Sequence, residues 1–254
     1  VMVKNINSGT PGSSPNHLTV VNNTLFFAAT TTATGQELWK SDGTASGTMM
    51  VKDICSGSNC NGITLQSNNP NPFIAIGDTL FFRGYTGSDG GELWKSDGTS
   101  SGTVLVKDIR SGISSSNLNR FTAFGDSLFF SANDGTHNFE PWISDGTSSG
   151  TVMVKDINSG VDGSSPSCHT VFGNTVFFYA HDGSTSWELW QSDGTSSGTT
   201  LVQDINSGGS GSYACGFIPL GTTLFFKADD GTNGAELWAL DPANITGCLL
   251  YTSD

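Results

Sequence analysis

The chain has 254 residues, of which only 13% are charged, and its formal net charge at pH 7 is −13. Nucleic acids and anionic membranes are bound through basic surfaces, and no apolar run approaches the ~20 residues that a membrane helix needs, so we expect no nucleic-acid partner and no membrane insertion. The 33 Gly residues favour strands joined by tight turns over helices.

Along the chain, one motif recurs, and its full form is E-L-W-x-S-D-G-T-x-S-G-T. Four copies begin at Glu37, Glu92, Glu140 and Glu188, and a degraded fifth copy begins at Glu236. The copies are 48 residues apart, except for 55 between the first two. A fixed internal period of this length indicates a repeat architecture, in which each copy is one structural unit.

Each repeat predicts four short strands, which are clearest in repeat four. The residue pattern places strand A at His169 to Phe172, strand B at Thr175 to Tyr179, strand C at Glu188 to Ser192 and strand D at Thr199 to Ile205. Four antiparallel strands per repeat is the blade of a propeller. The sequence therefore predicts an all-β, five-bladed β-propeller, a single domain over 1–254 with repeats at about 1–48, 49–103, 104–151, 152–199 and 200–254.

The two ends of the sequence offer two ways to complete the last blade. Val1 to Ile6 matches strand D of the other repeats, and repeat five supplies only strands A, B and C. We expect this N-terminal strand to complete the last blade, since that removes two exposed sheet edges. Cys248 to Thr252 falls at the same register and remains the alternative.

Cysteine usage predicts an oxidising, extracellular compartment. Cys55 and Cys60 lie close together in the inserted loop of repeat two, and Cys168 and Cys215 occupy near-equivalent loops of repeats four and five. Both pairs are candidate disulfides, and Cys248 is left over. We therefore expect a secreted or surface-exposed protein.

Most of the recurring residues have a structural interpretation. The motif tryptophans are expected to fill the space between blades; they are Trp39, Trp94, Trp142, Trp190 and Trp238. Three Asp-Gly pairs share one register in the loop between strands B and C, at Asp134, Asp182 and Asp230. We expect these to be turns and no cofactor to be required, with Ca²⁺ binding as the alternative. Asn22 and Asn244 stand in N-x-T sequons and are candidate glycosylation sites.

The Glu-Leu-Trp, Ser-Asp-Gly-Thr and Val-Lys-Asp-Ile segments resemble the ELWxxDGT repeat family, hyalin-like arrays of secreted and surface proteins, and the resemblance covers practically the whole chain. It implies an extracellular, propeller-like module and brings no defined activity with it. Blades of this length are also similar in architecture to five-bladed tachylectin-type propellers, which bind sugars.

One end of the predicted propeller carries the loops that differ between repeats, and binding usually lies on variable loops of a rigid scaffold. Candidate ligand-binding residues on these loops are Tyr85, His137, Phe139, Trp187, Tyr213 and Asn233. We expect a lectin-like module that binds carbohydrate or a cell-surface or matrix polymer. The alternative is a structural or adhesive module that binds copies of itself.

An enzymatic function has less support in the sequence. Glycoside hydrolases need two carboxylates at a defined separation, and most of the 23 acidic residues recur at repeated positions. Only Asp89, Asp162, Asp229 and Asp254 are unique to one blade. The sequence therefore predicts a non-catalytic protein, with a glycoside hydrolase as the less favoured alternative.

Overall fold

The computed structural model describes residues 1–9, 11–57, 60–63 and 72–241. These residues form nineteen strands in five antiparallel sheets. The predicted all-β fold of five units is confirmed, and four of the sheets have the predicted four strands. Within the same ranges, no helix has the length and apolarity that crossing a membrane requires. We number the sheets one to five in chain order.

In four of the sheets, four strands are adjacent in chain order. Sheet one contains β1 (Asn16–Val21), β2 (Thr24–Thr31), β3 (Gly35–Ser41) and β4 (Met49–Lys52), and sheet two contains β5 (Phe73–Ile76), β6 (Thr79–Thr86), β7 (Gly90–Ser96) and β8 (Val104–Lys107). Sheet three contains β9 (Asn119–Phe124), β10 (Ser127–Asn133), β11 (Phe139–Ser144) and β12 (Val152–Met153), and sheet four contains β13 (Ser167–Phe172), β14 (Thr175–His181), β15 (Trp187–Ser192) and β16 (Thr200–Gln203). Sheet five contains β17 (Cys215–Leu220), β18 (Thr223–Asp229) and β19 (Ala235–Leu240).

The predicted strands of repeat four match β13 to β16 with small shifts at their ends. Strand D is shorter than predicted and ends at Gln203 rather than at Ile205. The reason is local, because Ile205 N donates its hydrogen bond to the Glu188 carboxylate (2.9 Å). A residue whose amide binds a side chain does not extend the ladder of the sheet.

The turn between the third and fourth strands is built from the S-D-G-T-x-S-G-T residues of the motif. In sheet four, Ser192 Oγ and Thr199 Oγ1 are 2.7 Å apart and buried. Asp193 Oδ1 accepts hydrogen bonds from Thr195 N (2.8 Å) and Thr195 Oγ1 (2.7 Å), and these bonds lower the pKa of Asp193. Sheets one, two and three repeat the same bonds. These aspartates are therefore turn residues.

The chain divides into two compact units. Unit 1 consists of Val1–Leu128, Ala132–Gly135 and Ser144–Thr151. Its core contains side chains from the second strands of the first two sheets, among them Phe26, Leu80 and Phe82. Neighbouring sheets meet through their first strands, since β1 contacts β5 and β5 contacts β9.

Unit 2 consists of Phe129–Ser131, Thr136–Ile143 and Val152–Asp254. Phe177, Leu189 and Phe226 are buried in its core, and β13 contacts β17. The motif tryptophans Trp39, Trp94, Trp142 and Trp190 are also buried in their respective units, whereas Trp238 is half-buried. The ammonium group of Lys155 lies over the Trp190 ring, 5.9 Å from its centroid.

Both predicted disulfides are present. Cys55 is bonded to Cys60, with Cα atoms 5.4 Å apart, and Cys168 is bonded to Cys215, with Cα atoms 5.5 Å apart. The second bond joins the first strands of sheets four and five, since Cys168 lies in β13 and Cys215 in β17. Cys248 lies outside the described residues.

Sheet five has three strands in the described part of the chain. Leu237 in β19 is 75% exposed, although its counterparts Leu38, Leu93 and Leu189 are fully buried. Residues 1–9 contain no strand, yet Lys4 Nζ donates to Thr48 O (2.7 Å) as a strand-D lysine does. Completion of the last sheet by the N-terminal segment stays a prediction, and the competing segment at 248–252 lies outside the described residues.

Candidate functional site

The motif glutamates hold the long connections that carry the variable residues. Glu188, in β15, is fully buried and accepts hydrogen bonds from Ile205 N (2.9 Å), Asn206 N (3.4 Å) and Ser212 N (2.9 Å). Burial raises the pKa of Glu188, and these hydrogen bonds oppose the rise. The carboxylate therefore ties both ends of the connection between sheets four and five to β15.

The same contact recurs in the other sheets that have a complete motif. Glu140 accepts bonds from Ile157 N (3.0 Å), Ser164 N (2.7 Å) and Ser164 Oγ (2.6 Å). Burial raises the pKa to about 7 for three of these carboxyl groups, at Glu37, Glu92 and Glu140. The motif glutamate is thus a structural residue that positions the loops.

This anchoring places Tyr213 beside Trp187. The carbonyl of Trp187, the first residue of β15, accepts bonds from Ser212 N (2.9 Å) and Tyr213 N (3.1 Å). The two rings stack with centroids 5.6 Å apart and an interplanar angle of 17°. Tyr213 is 46% exposed, so its ring presents accessible surface next to a partner that keeps it in place.

Two further rings come from β14. His181 is the cross-strand partner of Trp187, and cross-strand partners bring their Cβ atoms close together; the two ring centroids are 4.9 Å apart. Tyr179 lies two residues earlier, so it points to the same face of the strand. It meets Tyr213 edge to face, with centroids 6.0 Å apart. We call Tyr179, His181, Trp187 and Tyr213 the aromatic cluster.

All four members of the aromatic cluster depart from the repeat. The position of Tyr213 is occupied elsewhere by Ser14, Ile63, Asn117 and Ser165, and that of Trp187 by Gln36, Gly91, Phe139 and Ala235. The position of Tyr179 is occupied by Ala28, Arg83, Ser131 and Lys227, and that of His181 by Thr30, Tyr85, Asn133 and Asp229. Four independent departures that meet at one place indicate a specialised surface.

Tyr213 also has a backbone conformation that suits its counterparts better. Its φ is 48°, in the left-handed region, as are those of Ser14, Asn117 and Ser165. This region costs an L-residue with a large side chain about 1 kcal/mol, and Asn and other small polar residues tolerate it better. Strain of this kind concentrates at functional sites.

The other four predicted binding residues lie in sheets two, three and five or in their loops. Tyr85 is half-buried in β6, where its backbone N donates to Gly62 O (2.8 Å). Phe139 corresponds to Trp187 in sheet three, but the residue that its carbonyl binds is Ser165 rather than a tyrosine. His137 is half-buried, and Asn233 is exposed and donates from Nδ2 to Asp230 Oδ2 (2.8 Å).

The three Asp-Gly loops contain hydrogen bonds that are typical of turns. Asp182 Oδ1 accepts bonds from Ser184 N (2.8 Å) and Thr185 N (2.7 Å), and Asp230 Oδ1 accepts bonds from Thr232 N (2.8 Å) and Asn233 N (2.7 Å). Asp134 is half-buried at the same register. Among the described residues, no group of three His, Cys, Asp or Glu side chains is arranged to hold a metal ion.

The sequence analysis named Trp187 and Tyr213 but missed Tyr179 and His181. A signal for both was present, because each differs in chemical type from its counterparts in the other repeats. Asn158 Nδ2 lies 3.2 Å from His181 Nδ1, and Asn158 was missed because the same residue recurs as Asn7 and Asn206. Of the two sequons, Asn22 is exposed in the turn between β1 and β2, and Asn244 lies outside the described residues.

Comparison with known proteins supports the fold. No family model and no curated protein matches the chain. Solved structures that match include the prolyl endopeptidases studied for inter-domain dynamics (TM-score 0.56, 12% identity, 95% of this chain and 37% of that chain). Others are a puromycin hydrolase S511A mutant complexed with PGG (TM-score 0.55, 11% identity, 99% and 40%) and the computationally designed Ika8 protein (TM-score 0.48, 15% identity, 96% and 63%).

The chain thus spans between 37% and 63% of the length of these three structures. At such low identities the likeness concerns the fold alone. The chain forms five sheets of three or four antiparallel strands and matches propeller structures over nearly its whole length. Sheets of this kind are the blades of a β-propeller. The chain has a β-propeller-like fold.

Proposed function

We propose that the protein is a non-catalytic binding module that takes carbohydrate at the aromatic cluster. The observation that carries the proposal is the exposed Tyr213 ring, stacked on Trp187 at a position where none of the equivalent connections has an aromatic residue. Tyr and Trp supply large, rigid contact areas at a low cost in conformational entropy. A pyranose ring suits such a surface, since one of its faces consists of C–H groups and its rim consists of hydroxyl groups.

The contacts favour Tyr213 over Trp187 as the surface that the sugar covers. Trp187 already has Tyr213 stacked on it and His181 beside it, 4.9 Å away. Tyr179 supports Tyr213 from the edge. Since the aromatic cluster occurs in sheet four and its counterparts elsewhere are mostly not aromatic, we expect one sugar site per chain rather than five.

The repeat itself provides substitutions that test this proposal. Tyr213→Ser introduces the residue that stands at the equivalent positions Ser14 and Ser165, and Trp187→Gln introduces the residue of sheet one. We expect wild type to bind members of a glycan array, Tyr213→Ser to lose at least about tenfold in affinity, as the loss of a central aromatic anchor does, and its melting temperature to be unchanged. Phe139→Gln, the matched change in sheet three, should bind as wild type does. An array without ligands, or equal binding by Tyr213→Ser, would contradict the proposal.

The proposed setting is extracellular, as a module of the ELWxxDGT repeat type. Two disulfides support this, since such bonds persist in oxidising compartments. The motif supports it too, because Glu188 and the Asp193 turn have the same structural roles in successive repeats. Natural partners would then be surface glycans or matrix polymers.

A second candidate function is self-association, and exposed apolar side chains in β17 and β19 of sheet five favour it. Ile218, Leu220 and Leu237 are 64%, 70% and 75% exposed. Exposed strand edges and apolar patches are common sites of association. Sedimentation velocity of wild type and of Leu237→Lys tests this function: a concentration-dependent oligomer that Leu237→Lys disrupts supports it, and a wild-type monomer at all concentrations contradicts it.

A further inference from the structure

His181 has two polar atoms with different roles in the aromatic cluster. Its Nδ1 accepts a hydrogen bond from Gly183 N (2.9 Å), and Asn158 Nδ2 lies 3.2 Å from the same atom. Asn158 Nδ2 also donates to Gly163 O (3.1 Å), which orients the amide so that its nitrogen faces His181. Because both neighbours are N–H donors, Nδ1 must be the acceptor, and the neutral ring then has its proton on Nε2.

The other repeats support this tautomer independently. At the same register, Asn133 Oδ1 accepts from Gly135 N (2.7 Å) and Asp229 Oδ1 accepts from Gly231 N (2.7 Å). The side chain at this position is therefore an acceptor for the amide two residues later. His181 performs that task with Nδ1 and, unlike Asn or Asp, brings a second ring nitrogen that the turn does not use.

That second nitrogen forms no hydrogen bond within the described residues, whereas Nδ1 has two. The His181 ring is half-buried and lies 4.9 Å from Trp187, which itself stacks on Tyr213. The arrangement therefore combines the exposed Tyr213 ring with an N–H donor that lies next to Trp187, the ring on which Tyr213 stacks. Binding sites typically orient their ligands by a few such placed polar groups on an apolar surface.

We propose that His181 determines the specificity of the site by donating a hydrogen bond from Nε2 to one hydroxyl oxygen of a sugar that covers Tyr213. This inference rests on the proposed function, which supplies the ligand. The position of the proton on the His181 ring is a separate part of the inference and can be tested without a ligand. The other members of the aromatic cluster supply contact area, which tolerates many sugars. A site built to donate to one oxygen rejects a sugar that lacks it.

The first test is the protonation of the His181 ring in the protein without ligand. Long-range ¹H–¹⁵N NMR spectra of the ¹⁵N-histidine protein at pH 7.5, assigned with His181→Phe, report which ring nitrogen has the proton. We expect Nε2–H and an unprotonated Nδ1. A proton on Nδ1 would overturn the inference, whatever the protein binds.

The second test uses methyl glycosides of galactose, glucose and mannose, together with their monodeoxy analogues, in isothermal titration calorimetry. For wild type, we expect removal of one particular hydroxyl to weaken binding about tenfold or more. In His181→Phe, which keeps a ring beside Trp187, the parent sugar should bind correspondingly less tightly and the deoxy analogue should lose nothing further. Asn133→Phe, the same change in sheet three, is the control and should bind as wild type does.

The two proposals fail in distinguishable ways. If wild type binds a sugar through Tyr213 and His181→Phe retains the full deoxy penalty, the role of His181 is wrong and the proposed function stands. If neither the array nor the glycosides bind, both the function and the role of His181 as a sugar donor are wrong.

Discussion

The buried motif glutamates make the stability of this protein dependent on pH, and Glu140→Gln isolates one of them. Burial raises the pKa of Glu140 from 4.5 to about 7, with the hydrogen bonds from Ser164, Ile157 and Asn158 opposing the rise. An acid whose pKa is higher in the folded state stabilises the fold most below the pKa of the unfolded state, and this stabilisation is lost as the pH rises through the folded pKa. For Glu140, the pKa change corresponds to a loss of about 2–3 kcal/mol in the free energy of unfolding between pH 5 and pH 8.

Gln has the shape of the protonated acid and does not ionise, so the variant should lack this pH-dependent loss. The variant also places an amide nitrogen against N–H donors, because Ile157 N and Ser164 N bind different oxygens of Glu140. We therefore expect a cost of about 1–3 kcal/mol at pH 5, as for an unsatisfied buried donor. Between pH 5 and pH 8, the free energy of unfolding of wild type should fall by about 2–3 kcal/mol more than that of the variant does.

The assay is urea unfolding followed by tryptophan fluorescence at pH 5, 6, 7 and 8, with linear extrapolation to water. Glu236→Gln removes a motif carboxylate from the exposed part of β19, so it controls for the change in net charge alone. Parallel stability profiles for Glu140→Gln and wild type would refute the reasoning. Such a result would mean that the ring of donors keeps the buried carboxyl group ionised.

Three further predictions concern stability. Replacing Cys168 and Cys215 together by Ala should lower the free energy of unfolding by about 4 kcal/mol, and replacing Cys55 and Cys60 together by Ala should lower it by about 2 kcal/mol. The two losses differ because the disulfides close loops of 47 and 5 residues, and the loop-closure entropy grows with loop length. Urea unfolding measures both losses, and equal losses would contradict this dependence on loop length. Leu189 lies in the core of unit 2, and Leu189→Ala should lower the free energy of unfolding by about 2–5 kcal/mol. The control, Val161→Ala at an exposed position, should lower it by less than about 1 kcal/mol. An equally small loss for Leu189→Ala would mean that Leu189 is not a core residue. EDTA should leave the melting temperature unchanged, since Asp182 and Asp230 already bind the amides of their own loops; a drop of several degrees would instead indicate a bound divalent cation.

Much of the fold was predictable from the sequence because the determinants of each strand and turn are local. The motif turn is an example, since Ser192, Asp193 and Thr195 bind one another or atoms within a few residues. The disulfides were predictable from cysteine positions once the register of the repeat was known. The role of the motif glutamate was not, because its partners are 17 to 25 residues away, in the next connection.

The candidate site was predicted only in part. Trp187 and Tyr213 drew attention as aromatic residues in variable loops, along with Tyr85, His137, Phe139 and Asn233. Nothing in the sequence separated the first two residues from the others, since all six lie in loops or at strand ends that differ between repeats. The structure separates them because the rings of Trp187 and Tyr213 stack on each other.

The sequence by itself therefore determined the repeat, the strands, the turns and the sheets, because alternation and turn residues act over a few positions. Only the tertiary structure decided which departures from the repeat meet. Tyr179 and Tyr213 are far apart in the chain, and their rings come together because buried Glu188 ties the connection before Tyr213 to β15. The tautomer of His181 likewise depends on Asn158, which belongs to a different loop. Contacts of this kind arise from packing, and no local pattern encodes them.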